Sequence, residues 1–135
     1  MGIAKDKLNE DQKKEVERLR QFVSRNRFNV LMNSTKWRAA IDAVAAIEGY
    51  SAPFRVRCVT DTQDPPAQWN QGFPAGLPLY NAIEWVELDP RPALAGKGKA
   101  PDFGKRIEAA LKTAGIPLSV EKTGIRILGH TRQVR

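Results

Sequence analysis

Between Asp61 and Tyr80 the chain carries Pro65, Pro66, Pro74 and Pro78 together with Gly72 and Gly76. Proline lacks the backbone N–H that helices and interior strands use, and glycine loses the most conformational freedom on ordering, so regular structure is forbidden through most of this stretch. Any fold must therefore be assembled from two groups of elements on either side of a long irregular connection. Such connections are uncommon inside compact domains and are often functional. This one also holds Trp69, Phe73, Leu77 and Tyr80, an apolar content unusual for a solvated loop. Either these side chains fold back as a lid on the core, or they stand out as an aromatic recognition loop.

Before the connection, Asp6 to about Asn29 reads as a charged peripheral helix with a narrow apolar stripe at Val16, Leu19, Phe22 and Val23. A second helix is capped by Ser34 or Thr35, repeats apolar residues at Trp37, Ala40, Ile41, Val44 and Ile47, and leaves at Gly49. Phe54 to Thr60 alternates as a half-buried strand, with Phe54, Val56 and Cys58 on one face and Arg55 and Arg57 on a basic outer face. After the connection, Ile83 to Leu88 is a strand partly covered on both faces, and hence interior. Glu84 and Glu87 lie three apart along it and alternate to opposite faces, whereas Glu87 and Asp89 share one.

Pro90 and Pro92 end that strand, Gly96-Lys-Gly-Lys99 follows as a linker, and Asp102 opens a third helix closed by Gly115 and Pro117. Its apolar face is Phe103, Ile107, Ala110, Leu111 and Ala114, and two strands around Thr123-Gly124 complete the chain, with apolar positions Val120, Ile125 and Ile127. The fold class is α+β in the order α-α-β-β-α-β-β, with one small sheet of three or four strands packed by helices. A strand, a helix and a further strand permit a right-handed parallel crossover. Residues 1–32 read as a charged helical extension and residues 33–135 as a single domain, large enough to bury its own core.

Charge runs in blocks. Residues 1–57 carry 12 Lys/Arg against 7 Asp/Glu, residues 58–90 carry 5 acids and no base, and residues 91–135 carry 10 bases against 3 acids. Summed charge selects a partner's sign and encounter rate but not a fold. Cys58 is the only cysteine and His130 the only histidine, so one chain holds neither a disulfide nor a cysteine or paired-histidine metal site. A reducing compartment and a cytoplasmic location are expected, because the start lacks a basic segment followed by an apolar run and no stretch approaches the ~18 apolar residues of a membrane span.

Catalytic chemistry finds little footing. A nucleophilic triad would need His130 beside Cys58 or a serine, and nothing in the spacing joins them. The carboxylates Asp61, Asp64, Glu84, Glu87 and Asp89 could hold a divalent cation or do acid/base work, but cross-strand pairing with Arg55 or Arg57 is equally available. Gly96-Lys97-Gly98-Lys99 lacks the spacing of a phosphate loop, and Pro101 removes an N–H donor. No enzyme activity, cofactor or metal is expected. The acidic block with its aromatic residues has the composition of a protein interface, using Trp69, Phe73, Tyr80, Asp61, Asp64, Glu84, Glu87 and Asp89. The alternative is nucleic acid bound by Lys97, Lys99, Lys105, Arg106, Lys122, Arg126 and Arg132, with no aromatic interleaving to support it.

The segments Asn33-Ser-Thr-Lys-Trp37, Phe54-Arg-Val-Arg-Cys58, Ile83-Glu-Trp-Val-Glu87 and Ile125-Arg-Ile-Leu-Gly129 together resemble a small uncharacterised bacterial family of domains of unknown function, over about Asn33 to Arg132. The resemblance implies a bacterial single-domain accessory protein and brings no activity with it. In size and organisation such domains are similar to the immunity proteins that neutralise a cognate toxin, an analogy of type. The expectation is a non-enzymatic interaction protein of that kind, binding a protein partner and no membrane.

Overall fold

Asn9 starts the first helix, α1 (Glu10–Arg25), by a reciprocal exchange: its side chain accepts from the Gln12 N–H at 2.7 Å while the Gln12 side chain accepts from the Asn9 N–H at 3.0 Å. The computed structural model describes residues 8–92 and 101–132. α1 buries Val16, Leu19 and Val23 and stops at Arg25. There Arg27, with φ 60°, turns the chain into a short strand, β1 (Phe28–Val30), where the periodicity had continued the helix to about Asn29. Nothing local announces β1, because its pairing partner lies at the far end of the sequence.

α2 (Ser34–Ala45) is capped one residue earlier than expected. The Asn33 carboxamide, not Ser34 or Thr35, accepts from the Lys36 N–H at 2.8 Å. The remaining elements are β2 (Phe54–Cys58), a 3-10 turn at Tyr80–Ala82, β3 (Ile83–Leu88), α3 (Gly104–Thr113), β4 (Leu118–Val120), β5 (Ile125–Leu128) and β6 (His130–Arg132). Two antiparallel sheets result, one ordered β2-β3-β5-β4 and the other β1-β6. The expected parallel pairing does not form. β3 and β4 both run antiparallel to β5, so they are parallel to each other, but β5 lies between them and the β3-α3-β4 unit is split.

One face of the larger sheet meets the helices. Phe54, Val86, Leu88, Ile125 and Ile127 pack with Trp37, Ala40 and Val44 of α2 and Ile107 and Leu111 of α3 in one buried cluster. The proline-rich connection closes over this cluster: Phe73, Leu77 and Tyr80 are half-buried against it. Phe73 meets Phe54 edge to face at 5.6 Å, and Tyr80 stacks on Trp37 at 5.7 Å. Asn70 exchanges two backbone hydrogen bonds with Phe54, at 2.8 and 2.9 Å, and pins the connection to β2. It is a lid.

Residues 8–32 pack on the rest of the described chain. Leu19, Val23 and Phe28 share a second buried cluster with Val59, and β1 pairs with β6 residue by residue from Phe28↔Arg132 to Val30↔His130. The two sheets join at Gly129, whose missing side chain matters: a Cβ there would stand 2.6 Å from the Ile83 carbonyl oxygen and 2.8 Å from the Trp37 ring. Gly129→Ala is therefore expected to lower unfolding free energy by about 2–3 kcal/mol in urea titration, whereas a change at exposed Lys122 stays within about 0.5 kcal/mol.

Candidate functional site

Each acidic residue of the base-free block has a partner within the chain. On the sheet face away from the helices, Arg55, Glu87 and Arg126 stand in register across β2, β3 and β5. The Glu87 carboxylate is fully buried. One oxygen accepts two hydrogen bonds from Arg55, through Nε and Nη2. The other accepts from the Thr123 hydroxyl at 2.6 Å and faces Arg126 Nε at 3.5 Å. A buried carboxylate is tolerated only when paired and hydrogen-bonded, and here both oxygens are.

Glu84 joins the same face, against the alternation argument. Between the pairs Arg57↔Trp85 and Cys58↔Ile83, β3 has one residue more than β2, and that residue is Glu84. This bulge returns Glu84 to the Arg57 side, where Arg57 Nε donates to it at 3.2 Å. Arg57 also donates to Asp64 at 2.6 Å and to the Asp61 carbonyl at 3.1 Å. The Asp61 carboxylate accepts from the Cys58 N–H, and that of Asp89 from the Arg91 N–H. Cross-strand pairing has won over a carboxylate site, and β2's basic face is turned inward: Arg55 and Arg57 are only 13% and 15% exposed.

The aromatic candidates are engaged as well. Trp69 lies under the Arg55 guanidinium, 4.6 Å from carbon to ring centroid, and Phe73 and Tyr80 belong to the lid. The basic candidates separate. Lys105 and Lys122 line a shallow hollow of about 430 Å³ with Arg91. Arg106 sits on the Phe103 ring, Arg126 on Trp85, and Arg132 between the Phe28 ring and Glu84. Lys97 and Lys99 lie outside the described residues.

What the sequence reading missed is a cavity of about 690 Å³ between α1 and the β1–β6 ladder. Leu19, Val23, Phe28, Met32 and Leu79 supply apolar walls, and Arg20, Ser34, Asn81 and His130 supply polar groups. Its volume falls within the few hundred to about 1,000 Å³ of small-ligand sites, and its lining has their character. His130 is 4% exposed and meets Phe28 edge-on at 6.2 Å. Its Nδ1 lies 2.6 Å from the Ile83 carbonyl oxygen, which can only accept, so this nitrogen carries a proton. Val30 and Leu31 stand exposed beside the cavity, at 63% and 36%. The signal in the sequence was the Val16, Leu19, Val23 stripe, which is buried although it opens a highly charged segment.

Nucleophilic chemistry has poor material here. Cys58 lines a different hollow from His130, and burial, helped by the neighbouring Asp61 charge, pushes its thiol above the ordinary range. Burial, and then Asp89, likewise raises the Tyr50 hydroxyl, which donates to the Asp89 carbonyl at 2.6 Å. Among the described residues no group of three His, Cys, Asp or Glu side chains is placed to hold a metal ion, and no helix is long and apolar enough to cross a membrane.

These features define an α+β domain with helices and a lid on one face of its main sheet, ion pairs on the other, and an apolar cavity beside its second ladder. The chain belongs to a family of unknown function, DUF6678, whose model matches residues 19–134. No curated protein and no solved structure matches it. The match begins at Leu19 rather than at about Asn33, in keeping with the structural part that Leu19, Val23 and Phe28 play in the second cluster.

Two outcomes follow from the buried groups. Glu87→Ala leaves Arg55 and Arg126 without their carboxylate and is expected to cost about 3–5 kcal/mol of stability by denaturant unfolding. Because the folded Cys58 thiol is shifted upward, less of it is thiolate at any given pH, so the pH midpoint of its alkylation by iodoacetamide lies above that of the same cysteine in the unfolded chain.

Proposed function

We propose that this protein is a non-enzymatic interaction protein, of the inhibitor kind that immunity proteins represent, and that it holds a protein partner in the groove between α1 and the β1–β6 ladder. The observation that carries the reading is one concavity with buried apolar walls of Leu19, Val23 and Phe28 and exposed Val30 in its lining, next in sequence to exposed Leu31. Interfaces are built this way, with an apolar centre and a charged rim. The rim supplies a sign. Arg20 lines the groove, Arg25 ends α1 and Arg27 lies in the turn joining the two walls, with no ion pair to Arg25 or Arg27 among the described residues. With a formal net charge of +7, the chain favours an acidic partner.

This reading keeps the expected function and moves its surface. Phe73 and Tyr80 already half-bury their rings on the core, Trp69 already stacks on Arg55, and Asp61, Glu84, Glu87 and Asp89 already accept internal hydrogen bonds. Using them for a partner would first break those contacts. Nucleic-acid binding is the weaker proposal, since Lys105 and Lys122 share a hollow that Arg126 and Arg132 do not reach.

Affinity capture from the native host tests the surface. The expected outcome is one partner retained by the wild type and by Trp69→Ala with Phe73→Ala, and weakened at least tenfold by Val30→Asp with Leu31→Asp, with circular dichroism unchanged. A partner lost only with the lid substitutions would return the site to the proline-rich connection. No retained protein under any condition would remove the interaction reading.

A further inference from the structure

We infer that β4 is the seat of a homodimer, in which its outer edge pairs antiparallel with β4 of a second copy and joins the two larger sheets into one. The parity of the strand identifies the groups that are free. The Pro117 carbonyl accepts from the Leu128 N–H at 3.0 Å and the Glu121 N–H donates to the Gly124 carbonyl at 2.8 Å, so the odd-numbered residues turn their backbone toward β5. Leu118 and Val120 therefore turn their N–H and C=O groups away from it. β4 ends the sheet, with no strand beyond it among the described residues. The opposite edge is closed. There Phe54 exchanges both of its backbone hydrogen bonds with Asn70, and the Cys58 N–H donates to the Asp61 carboxylate at 2.8 Å. Edges left open are ordinarily blunted by charge, proline or a bulge. Leu118–Val120 contains no charge, proline or bulge, and Val120 is 60% exposed.

Symmetry and charge select a second copy as the occupant. Two residues with outward groups, two apart on one strand, complement themselves about a two-fold axis at Ser119. Leu118 of each copy then stands opposite Val120 of the other, and each of these pairs exchanges two backbone hydrogen bonds. No other symmetric register keeps both pairs within Leu118–Val120. Leu118 and Val120 also share one face of the strand, where Leu118 is half-buried against the core, so the exposed Val120 gains an apolar neighbour from the second copy. Glu121 faces Pro117 of that copy, and no like charges stand opposite each other. The hollow alongside Val120 is balanced, with Arg91, Lys105 and Lys122 against Asp102, Glu108 and Glu121. A strongly charged partner finds no field to follow there, whereas two chains of formal net charge +7 approach each other best where the local charge cancels. This surface shares no lining residue with the α1 groove, so it stands or falls independently of the function proposed above.

Sedimentation velocity of the intact protein from micromolar to millimolar concentration, with amide hydrogen exchange followed by NMR, tests the pairing. The wild type is expected to pass from monomer to dimer as it is concentrated. The Leu118 and Val120 amides are expected to slow at least tenfold across that range, while Ser119, already bonded to β5, keeps its rate. Val120→Pro removes an outward N–H without touching the ladder to β5, and Val120→Lys sets a charge against Leu118 of the other copy. Each is expected to weaken association at least tenfold with circular dichroism unchanged, and Val30→Asp with Leu31→Asp to leave it as it was. Should Val120→Pro fail to fold, Val120→Lys and exchange in the wild type still decide the matter. A monomer at every concentration, a dimer indifferent to both Val120 substitutions, or Leu118 and Val120 amides that stay fast on concentrating would overturn the inference. Protection of those amides only when another host protein is added would overturn it too, giving the edge to a foreign strand.

Discussion

A single carboxylate organises the larger sheet. Glu87 sits fully buried on a central strand, and its charge is tolerable only because β2 and the turn before β5 bring hydrogen-bond donors to it and β5 brings a cation. Register, turn and packing all answer to that requirement. Shifting β2 by one residue would turn Arg55 to the other face and leave the carboxylate unpaired. The turn must come close enough for Thr123 to donate, and the next residue then has no room for a side chain: a Cβ on Gly124 would lie 2.5 Å from the Leu88 carbonyl and 2.9 Å from Glu87 Cγ. Trp69 and Trp85 stack on the two arginines.

That arrangement changes what the charge blocks mean. An acidic stretch without bases looks like a surface prepared for a cationic partner, but Asp64, Glu84 and Glu87 pair with arginines of the neighbouring strands. Arg25 and Arg27, without an ion pair among the described residues, lie at the end of α1 and in the turn after it. A chain can thus carry a strong local charge pattern for its own assembly and present the opposite sign to a partner. Length of sequence between the paired groups, 32 residues from Arg55 to Glu87, is what hides this from a linear reading.

The lid follows the same logic on the other side of the sheet. Prolines and glycines forbid regular structure in the connection, yet its aromatic rings are worth burying, and the helices leave the Phe54 and Trp37 edges for Phe73 and Tyr80 to cover. The connection is irregular in conformation and structural in role. The groove, by contrast, keeps an exposed apolar side chain, Val30, beside its buried walls.

The sequence by itself determined the helices, the strands β2 to β5, the interior position of β3 and the long connection, because each rests on local periodicity or on the conformational limits of proline and glycine. It also offered Arg55 and Arg57 as partners for the acids. Only the tertiary structure decided that Glu84 and Glu87 share a face, since a one-residue bulge overrides alternation without any local mark. Only it could pair β1 with β6, three residues against three at opposite ends of the chain, and so set Phe28 beside His130 and form the cavity. The reason is the same in each case: such short ladders and bulges gain their stability from contacts distant in sequence, and a local pattern carries no record of them.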